Sequence, residues 1–273
     1  MNATQTNLRR IAHLSDAHIL EPRPAGGRSS YELGVRFVSL GRPLDAAERE
    51  EKLLRAFAAA ERAGADHFVV SGDLTETGTD AQFEAFARVL ESTMLEASRV
   101  TLVPGNHDAY TAADAWSRAL AGPLVPWVAT SARAPGQVVE RGNVCILPID
   151  VSCHQPVTRS AGELTREGAE ALERRLSDPA LADKAVVIVQ HHPPYKRPSA
   201  WQWVDGLRGW DVLMTLLERF PNVHLLHGHL HRAADAIVRF GRERIFGAPA
   251  VVNEPRVRLY DVWGADLTAS WAQ

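Results

Sequence analysis

Two cysteines in 273 residues, Cys145 and Cys153, exclude a disulfide-stapled scaffold. Cys145 sits in an apolar run, and both are expected as reduced, partly buried thiols. No run of about 18 apolar residues occurs, so nothing reads as a membrane span. The stretch MNATQTNLRR ahead of the first apolar segment lacks the core of a secretory leader. A soluble, cytoplasmic protein without a membrane partner is therefore expected. The excess of one charge sign over the other is small as well. A formal net charge of −3 offers no general surface for a polyanion, and no nucleic-acid polymer is expected as a partner. No internal repeat, low-complexity segment or long linker divides the chain. With 45% hydrophobic residues it can bury one sizeable core, read as a single domain over 1–273.

What is present is alternation. Short apolar runs predict strands at Arg10–Ser15, His67–Ser71, Val100–Val103, Val144–Ile149, Ala185–Gln190 and Val223–Leu226. Helical spacing fills the gaps. Leu53, Leu54, Phe57 and Ala60 mark a helix over Ala46–Ala63, and Phe83, Phe86, Val89 and Leu90 mark another over Asp80–Leu95. Thr165–Leu176, with Thr165 as its N-cap, and Trp210–Phe220 follow the same rule. Strand and helix in alternation predict an α/β layered fold. From about Ala233 the pattern turns to short antiparallel strands at Ala236–Phe240, Arg244–Phe246, Arg256–Val262 and Leu267–Trp271. Gly241-Arg242 and Gly264-Ala265 supply the hairpin turns.

Five short motifs stand at the ends of apolar runs: Asp16-Ala17-His18, Gly72-Asp73, Gly105-Asn106-His107-Asp108, His191-His192-Pro193-Pro194 and Gly228-His229-Leu230-His231. Each is weak alone. Together they place carboxylates, imidazoles and one carboxamide where loops of an open α/β sheet converge, so residues far apart in sequence can share a pocket. Asp16 and His18 are two apart, and an extended backbone would point both to one face. His229 and His231 repeat the spacing. Mixed carboxylate and imidazole donors suit Zn, Mn, Fe or Co better than an all-oxygen Mg or Ca site.

The five motifs in this order resemble the calcineurin-like metallophosphoesterases, over residues from about 9 to 250. Within that family the chain looks most like the bacterial class III cyclic-nucleotide phosphodiesterases and the glycerophosphodiesterases. The resemblance implies a four-layer α/β sandwich of two mixed sheets flanked by helices. It implies two divalent transition-metal ions, one held by Asp16, His18 and His231, the other by Asn106, His191 and His229, with Asp73 bridging both. A hydroxide between the ions would attack phosphorus in line, and the ions would offset charge on the phosphoryl oxygens. Two divalent ions against Asp16, Asp73 and a hydroxide leave a net positive charge for a phosphate ester. The resemblance also assigns His107 to the phosphate and the leaving oxygen, as general acid or electrostatic stabiliser. It places Glu76 where an acidic residue orients that histidine, against the alternative of an exposed loop glutamate. Asp108 is expected to support its loop through backbone hydrogen bonds.

The remaining candidates are weighed against plain structural roles. His13, His67 and His224 lie in or beside strand runs and are expected as packed strand histidines. His227 could orient His229, His192 could touch substrate, and His154 could reach the pocket rim. The segment 19–44 is rich in Pro, Gly and Arg, with Arg23, Arg28, Arg36 and Arg42, and is longer than its connection needs. Arginines there could pair with a second phosphate or a carboxylate. The segment 193–209 carries Trp201 and Trp203, and Trp201 could stack on a base. These two segments are the candidates for a small cap.

The implied activity is hydrolysis of a small-molecule phosphodiester, of cyclic-nucleotide or glycerophosphodiester type. Phosphomonoesterase and nucleotide pyrophosphohydrolase readings share the metal core. The lipid A pathway pyrophosphohydrolases of the family usually carry G-N-R-D, from which His107 departs. A scaffold of the same fold without catalysis is the reading from another class, opposed by the full set of ligand types. Only about two dozen residues follow Val252, fewer than the cap and oligomerisation arm of the glycerophosphodiesterases need, so a monomer or homodimer is expected.

Overall fold

Alternate residues of each central strand face different layers of the computed structural model, which describes residues 7–22, 35–39, 41–239 and 241–272. One sheet holds β1 (Arg10–Leu14), β2 (His67–Ser71) and β3 (Val100–Val103) in parallel. β12 (Arg258–Trp263) runs antiparallel to β1, and β13 (Asp266–Trp271) closes that edge. The second sheet holds β5 (Val144–Pro148), β7 (Ala185–Val189), β9 (Val223–His227) and β11 (Glu243–Gly247) in parallel. Its edges are the antiparallel β4 (Val139–Arg141) and β10 (Ala234–Ile237). β6 (Gly162–Glu163) and β8 (Leu207–Arg208) make a small pair of their own.

Ile11, Val69, Val103, Ile146, Val187 and Phe246 meet between the two sheets. Their strand neighbours Ala12, Leu14, Phe68, Val70 and Leu102 face α1 (Ala46–Arg62), α2 (Asp80–Ser92) and α3 (Ala115–Ala121). On the far side Leu147, Val186, Ile188 and Leu225 pack on α4 (Arg166–Leu176) and α6 (Trp210–Arg219). This is the four-layer sandwich expected from the motifs. Central strands covered on both faces read as continuous apolar runs, which is why β7, AVVIV, is buried at every position. Side-chain caps start the helices: Asp45 accepts from Glu48 N–H at 3.1 Å, and Thr165 from Gly168 N–H at 3.0 Å.

Four details differ from the sequence reading. The helix over Asp80–Leu95 stops at Ser92, where the Thr93 hydroxyl donates to Leu90 O at 2.6 Å and Met94 turns left-handed. The segment 193–209 is not all loop but carries α5 (Ser199–Asp205). β11 pairs antiparallel with β10 as a hairpin should, yet it also lies parallel to β9 and extends the parallel sheet. α3 and β4, of seven and three residues, are too short for a periodic pattern to be read.

The strand histidines are packed as expected. His13 lies between Ser71 Oγ (2.7 Å) and Tyr260 Oη (3.2 Å), His67 meets Thr101 Oγ1 at 2.8 Å, and His224 meets Ala265 O at 2.9 Å. Burial lowers His67 to about 3 and His224 to about 4. Each imidazole binds its proton more weakly folded than unfolded. Its contribution to stability is therefore complete above about pH 6.5 and is lost as pH falls toward those values. Replacing His67 by Gln should make the unfolding free energy less steep between pH 4 and 6, by up to about 1.4 kcal/mol per pH unit. Urea unfolding across that range reads the slope, and an unchanged slope would clear His67 of any part in acid unfolding.

Candidate metal centre

Seven ligand candidates stand beyond the carboxyl ends of strands from both sheets. Asp16 and His18 follow β1, Asp73 follows β2 and Asn106 follows β3; His191 follows β7, and His229 and His231 follow β9. Loops of both sheets meet at this seam. Asp16 ties them directly, since its Oδ2 accepts from His229 N–H at 3.2 Å.

The backbone that aims these side chains is not extended. Asp16 (φ 55°), His18 (48°), Asp73 (49°), His229 (68°) and His231 (55°) are all left-handed. The shared direction of Asp16 and His18 thus comes from two single-residue turns and not from strand pleat. Each such residue costs roughly 1–3 kcal/mol of strain, which surrounding bonds must offset. Asp16 N–H donates to Gly72 O at 3.0 Å and His18 N–H to Asp73 O at 2.9 Å. Asp108 pins the loops bearing Asp73 and Asn106 to one another. Its carboxylate accepts from the N–H groups of Leu74 (3.0 Å), Thr75 (2.9 Å) and Gly105 (2.8 Å) and from the Thr75 hydroxyl (2.7 Å).

The motif glycines leave room for ligand side chains. A Cβ on Gly105 would overlap the Asp73 carboxylate, one on Gly72 the His191 imidazole, and one on Gly228 the Ser15 hydroxyl. Backbone carbonyls then set the imidazoles. His191 Nδ1 donates to Ser71 O at 2.7 Å, which leaves Nε2 as the open nitrogen, 3.3 Å from Asp73 Oδ2. His107 Nδ1 donates to Glu76 O at 2.7 Å, and its Nε2 lies 3.9 Å from the same Asp73 oxygen. His229 Nε2 is taken by Asp205 O at 3.1 Å, leaving Nδ1 for a ligand. Such contacts select the tautomer a metal requires.

The donor atoms converge. Those of Asp16, His18, Asp73 and His231 all lie within 4.8 Å of one another. His231 Nε2 is 3.2 Å from Asp16 Oδ1 and 3.3 Å from His18 Nε2, which in turn is 3.7 Å from Asp73 Oδ2. Of the second group, His191 Nε2 is 3.3 Å from Asp73 Oδ2, and the His191 and His229 rings are 5.2 Å apart. Asn106 Oδ1 and His191 Nε2 are buried and make no hydrogen bond, though Asn106 Nδ2 donates to Tyr110 Oη at 2.8 Å. The bare, buried Asn106 Oδ1, an acceptor only, fits a cation. The mix of carboxylate, carboxamide and imidazole fits a divalent transition ion.

Electrostatics agree. Burial pushes Asp73 up, but His191 and His107 outweigh it and hold the carboxyl well below its ordinary range. Burial likewise opposes ionisation of Asp16, which His231 brings down. The reverse holds for the partners: against burial, Asp73 and Asp16 raise His191 to about 9, and Asp16 raises His231. His18 and His229 are pushed far down by burial, hence neutral and able to ligate.

A cavity of about 820 Å3 opens on the centre. Asp73, Asn106, His107, His229 and His231 reach its wall, together with Arg42, Tyr110, Asp205, Asn253 and residues 157–160. The other candidates do not line this cavity. Glu76 is fully buried, its carboxylate engaged by Arg49 and, at 2.8 Å, by Arg42; it meets His107 chiefly through its backbone carbonyl. His192 turns Nε2 to Ser160 O at 2.7 Å and packs on His229, with ring centres 4.4 Å apart. Trp201 is exposed and does not line the cavity, and Trp203 lies under the Arg159 guanidinium at 4.2 Å. His154 bonds Ala109 O at 2.8 Å, away from the wall, and His227 bonds Gly228 O at 2.9 Å. Arg23 and Arg28 lie outside the described residues. Tyr110, Asn253 and residues 157–160 escaped the sequence reading, whereas Asp205 stands in the segment 193–209 offered there as part of a cap. Tyr110, which closes the run Gly105-Asn106-His107-Asp108-Ala109-Tyr110, is the one with a local signal.

A model of the family described as calcineurin-like phosphoesterase matches residues 9–233. The chain belongs to that family. It is a hydrolase of the metallophosphoesterase type, and the family uses divalent metals. It is 28% identical over 213 residues to a probable cyclic nucleotide phosphodiesterase of Rhodopseudomonas palustris, covering 75% of this chain and 72% of that protein. It is 32% identical over 174 residues to the 3',5'-cyclic adenosine monophosphate phosphodiesterase CpdA of Escherichia coli, covering 62% of this chain and 56% of CpdA. A dimetal phosphatase from Danio rerio shares the fold, with TM-score 0.58 at 13% identity over 98% of this chain and all of that one.

Two outcomes follow for this metallophosphoesterase centre. As a metal ligand His191, raised to about 9, would have to shed a proton, so metal affinity should climb from pH 6 to 8 by about tenfold per pH unit per proton displaced. Calorimetric titrations with Mn2+ in buffers of different ionisation enthalpy read the proton release, and a buffer-independent heat would contradict it. Asp108→Ala strands four donors and should cost about 3 kcal/mol or more in urea unfolding; a loss under 1 kcal/mol would show that the loops do not depend on it.

Proposed function

We propose that the chain hydrolyses phosphodiesters with two divalent transition-metal ions bound, and that cyclic nucleotides are its substrate class. The carrying observation is the place of Asp73 Oδ2. This one oxygen lies 3.7 Å from His18 Nε2, a candidate for the first ion, and 3.3 Å from His191 Nε2, a candidate for the second. A carboxylate so placed can serve both ions. Asp16, His18 and His231 would hold the first, and Asn106, His191 and His229 the second. When bound, the pair supplies an acidified water as nucleophile and neutralises charge on the phosphoryl oxygens.

The chain's own residues do the rest. His107 donates Nδ1–H to Glu76 O, so its Nε2 is turned to the cavity and Asp73. Carrying a proton there, it can hydrogen-bond the phosphoryl group and deliver that proton to the departing alkoxide. Glu76 acts on His107 through the backbone, with its carboxylate anchored on Arg42 and Arg49. Residues 157–160 and Asp205, at the end of α5, wall the cavity and serve as its cap. The names of the bacterial relatives support the cyclic-nucleotide class; the metal core alone does not select it, because monoesterases and pyrophosphohydrolases share that core.

Metal-stripped protein reloaded with Mn2+ should cleave bis-p-nitrophenyl phosphate in preference to p-nitrophenyl phosphate, and then 3',5'-cyclic AMP. His107→Ala should lower kcat by roughly 10²–10⁴-fold with metal content unchanged. Preference for the monoester would replace the proposal with a phosphatase. No turnover of either ester by the metal-loaded protein would point to a pyrophosphohydrolase or a non-catalytic scaffold.

A further inference from the structure

Beneath the cavity floor lies a group of three buried charges. Glu76 is fully buried and its carboxylate meets two guanidiniums, Arg49 at Oε2 and Arg42 at Oε1, whose side chains are 2% and 11% exposed. One negative charge against two positive ones leaves one positive charge over. Burying a charge without a counterion is costly, and the structure must place its surplus somewhere useful or solvated.

The two arginines divide the work unequally. Arg49 spends its donors inside the protein: Nη1 on His18 O at 2.6 Å as well as on Glu76, and Nε and Nη2 on Pro43 O at 3.0 and 2.7 Å. Arg42 gives Nη2 to Glu76 and, weakly at 3.5 Å, to Val38 O. Its Nε is buried with no hydrogen-bond partner. Arg42, not Arg49, lines the cavity beside Asp73, His107 and His231. The other cavity arginine, Arg159, is committed through Nε and Nη2 to Trp203 O and stacks on the Trp203 ring.

We infer that Arg42 is a substrate-binding residue, whose guanidinium pairs with a non-bridging phosphoryl oxygen of the ester on the cavity side. The inference deepens the proposed function and rests on the cavity being a phosphate-ester site. Glu76 holds the guanidinium in place, Arg49 neutralises Glu76, and the charge of Arg42 stays available for the substrate. A planar fork held by one carboxylate gives orientation that an ammonium group lacks.

The test uses Mn2+-loaded protein and inorganic phosphate as the probe, with Arg42→Gln and Arg42→Lys beside the unaltered chain. Phosphate affinity is read from its stabilising effect on the thermal midpoint and from isothermal titration calorimetry; metal content and the phosphate-free midpoint are read in parallel. Arg42→Gln should weaken phosphate about tenfold or more, the loss of one charge-assisted hydrogen bond, and Arg42→Lys should recover part of it. Metal content should stay constant. The phosphate-free midpoint should hold or rise, because Glu76 and Arg49 remain as a balanced pair.

An affinity within twofold of the unaltered chain together with a lower midpoint would make Arg42 a strut for Glu76 and overturn the inference. Loss of metal along with phosphate would overturn it too, since Arg42 would then act through the ligands. Should Arg42→Gln not fold, Arg42→Lys decides alone: weakened phosphate at full metal content supports the inference, and unchanged phosphate overturns it. Phosphate binding is read without turnover. Failure of the unaltered protein to cleave any diester would therefore sink the proposed function and leave this result standing.

Discussion

Two carboxylates, Asp16 and Asp73, lie out of water at the seam of the sheets, and among the described residues no arginine or lysine reaches either within ion-pair distance. Neighbouring imidazoles are their only cationic partners. Without a metal, Asp73 and Asp16 strengthen the hold of His191 and His231 on their protons against burial; a metal bound to those imidazoles would have to displace them. The centre is thus a place where protons and divalent ions compete for the same donors. The positive charge that could have neutralised it directly, on Arg42 and Arg49, is tied to Glu76 instead. Had either guanidinium turned to Asp73, the carboxylate would be satisfied and the affinity for a cation lost.

Holding that arrangement demands rigidity. Five left-handed residues carry ligand candidates, and none is a glycine free of the associated strain. Glycine is used next to them instead, at Gly72, Gly105 and Gly228, where the problem is space and not torsion alone. The strain is offset by bonds that cross between loops, of which the four donors on Asp108 are the densest set. Close packing of four layers behind the seam keeps the strand ends from adjusting to relieve it. A site of this kind needs both sheets: Asp16 from one accepts from His229 of the other.

The layers and the gathering of the ligand candidates were legible because both are carried by side-chain identity at regular places. Strands such as β2 and β7 read as unbroken apolar runs, and every ligand candidate stands just past one. What was not legible is carried by atoms without an identity of their own. The carbonyls of Ser71, Glu76 and Asp205 orient three histidines, and any residue could supply a carbonyl at those positions. The left-handed turns at Asp16 and His18 escaped for a related reason, since aspartate and histidine adopt that region without announcing it. The wall at 157–160 carries no motif and comes to the cavity by tertiary folding alone.

This division of labour bears on specificity. The metal motifs set the reaction class and are silent about the substrate, because they touch only what all phosphate esters share. Discrimination must come from what surrounds them: Tyr110 held by Asn106, the strand-linking segment 157–160, the end of α5 at Asp205 and Arg42. Tyr110 links the two sets physically, donating its hydroxyl to Arg159 O at 3.2 Å while accepting from the carboxamide of a ligand candidate. A substrate group pressing on the 157–160 wall therefore presses on the orientation of Asn106. Shape at the rim and geometry at the candidate centre are joined through one phenol.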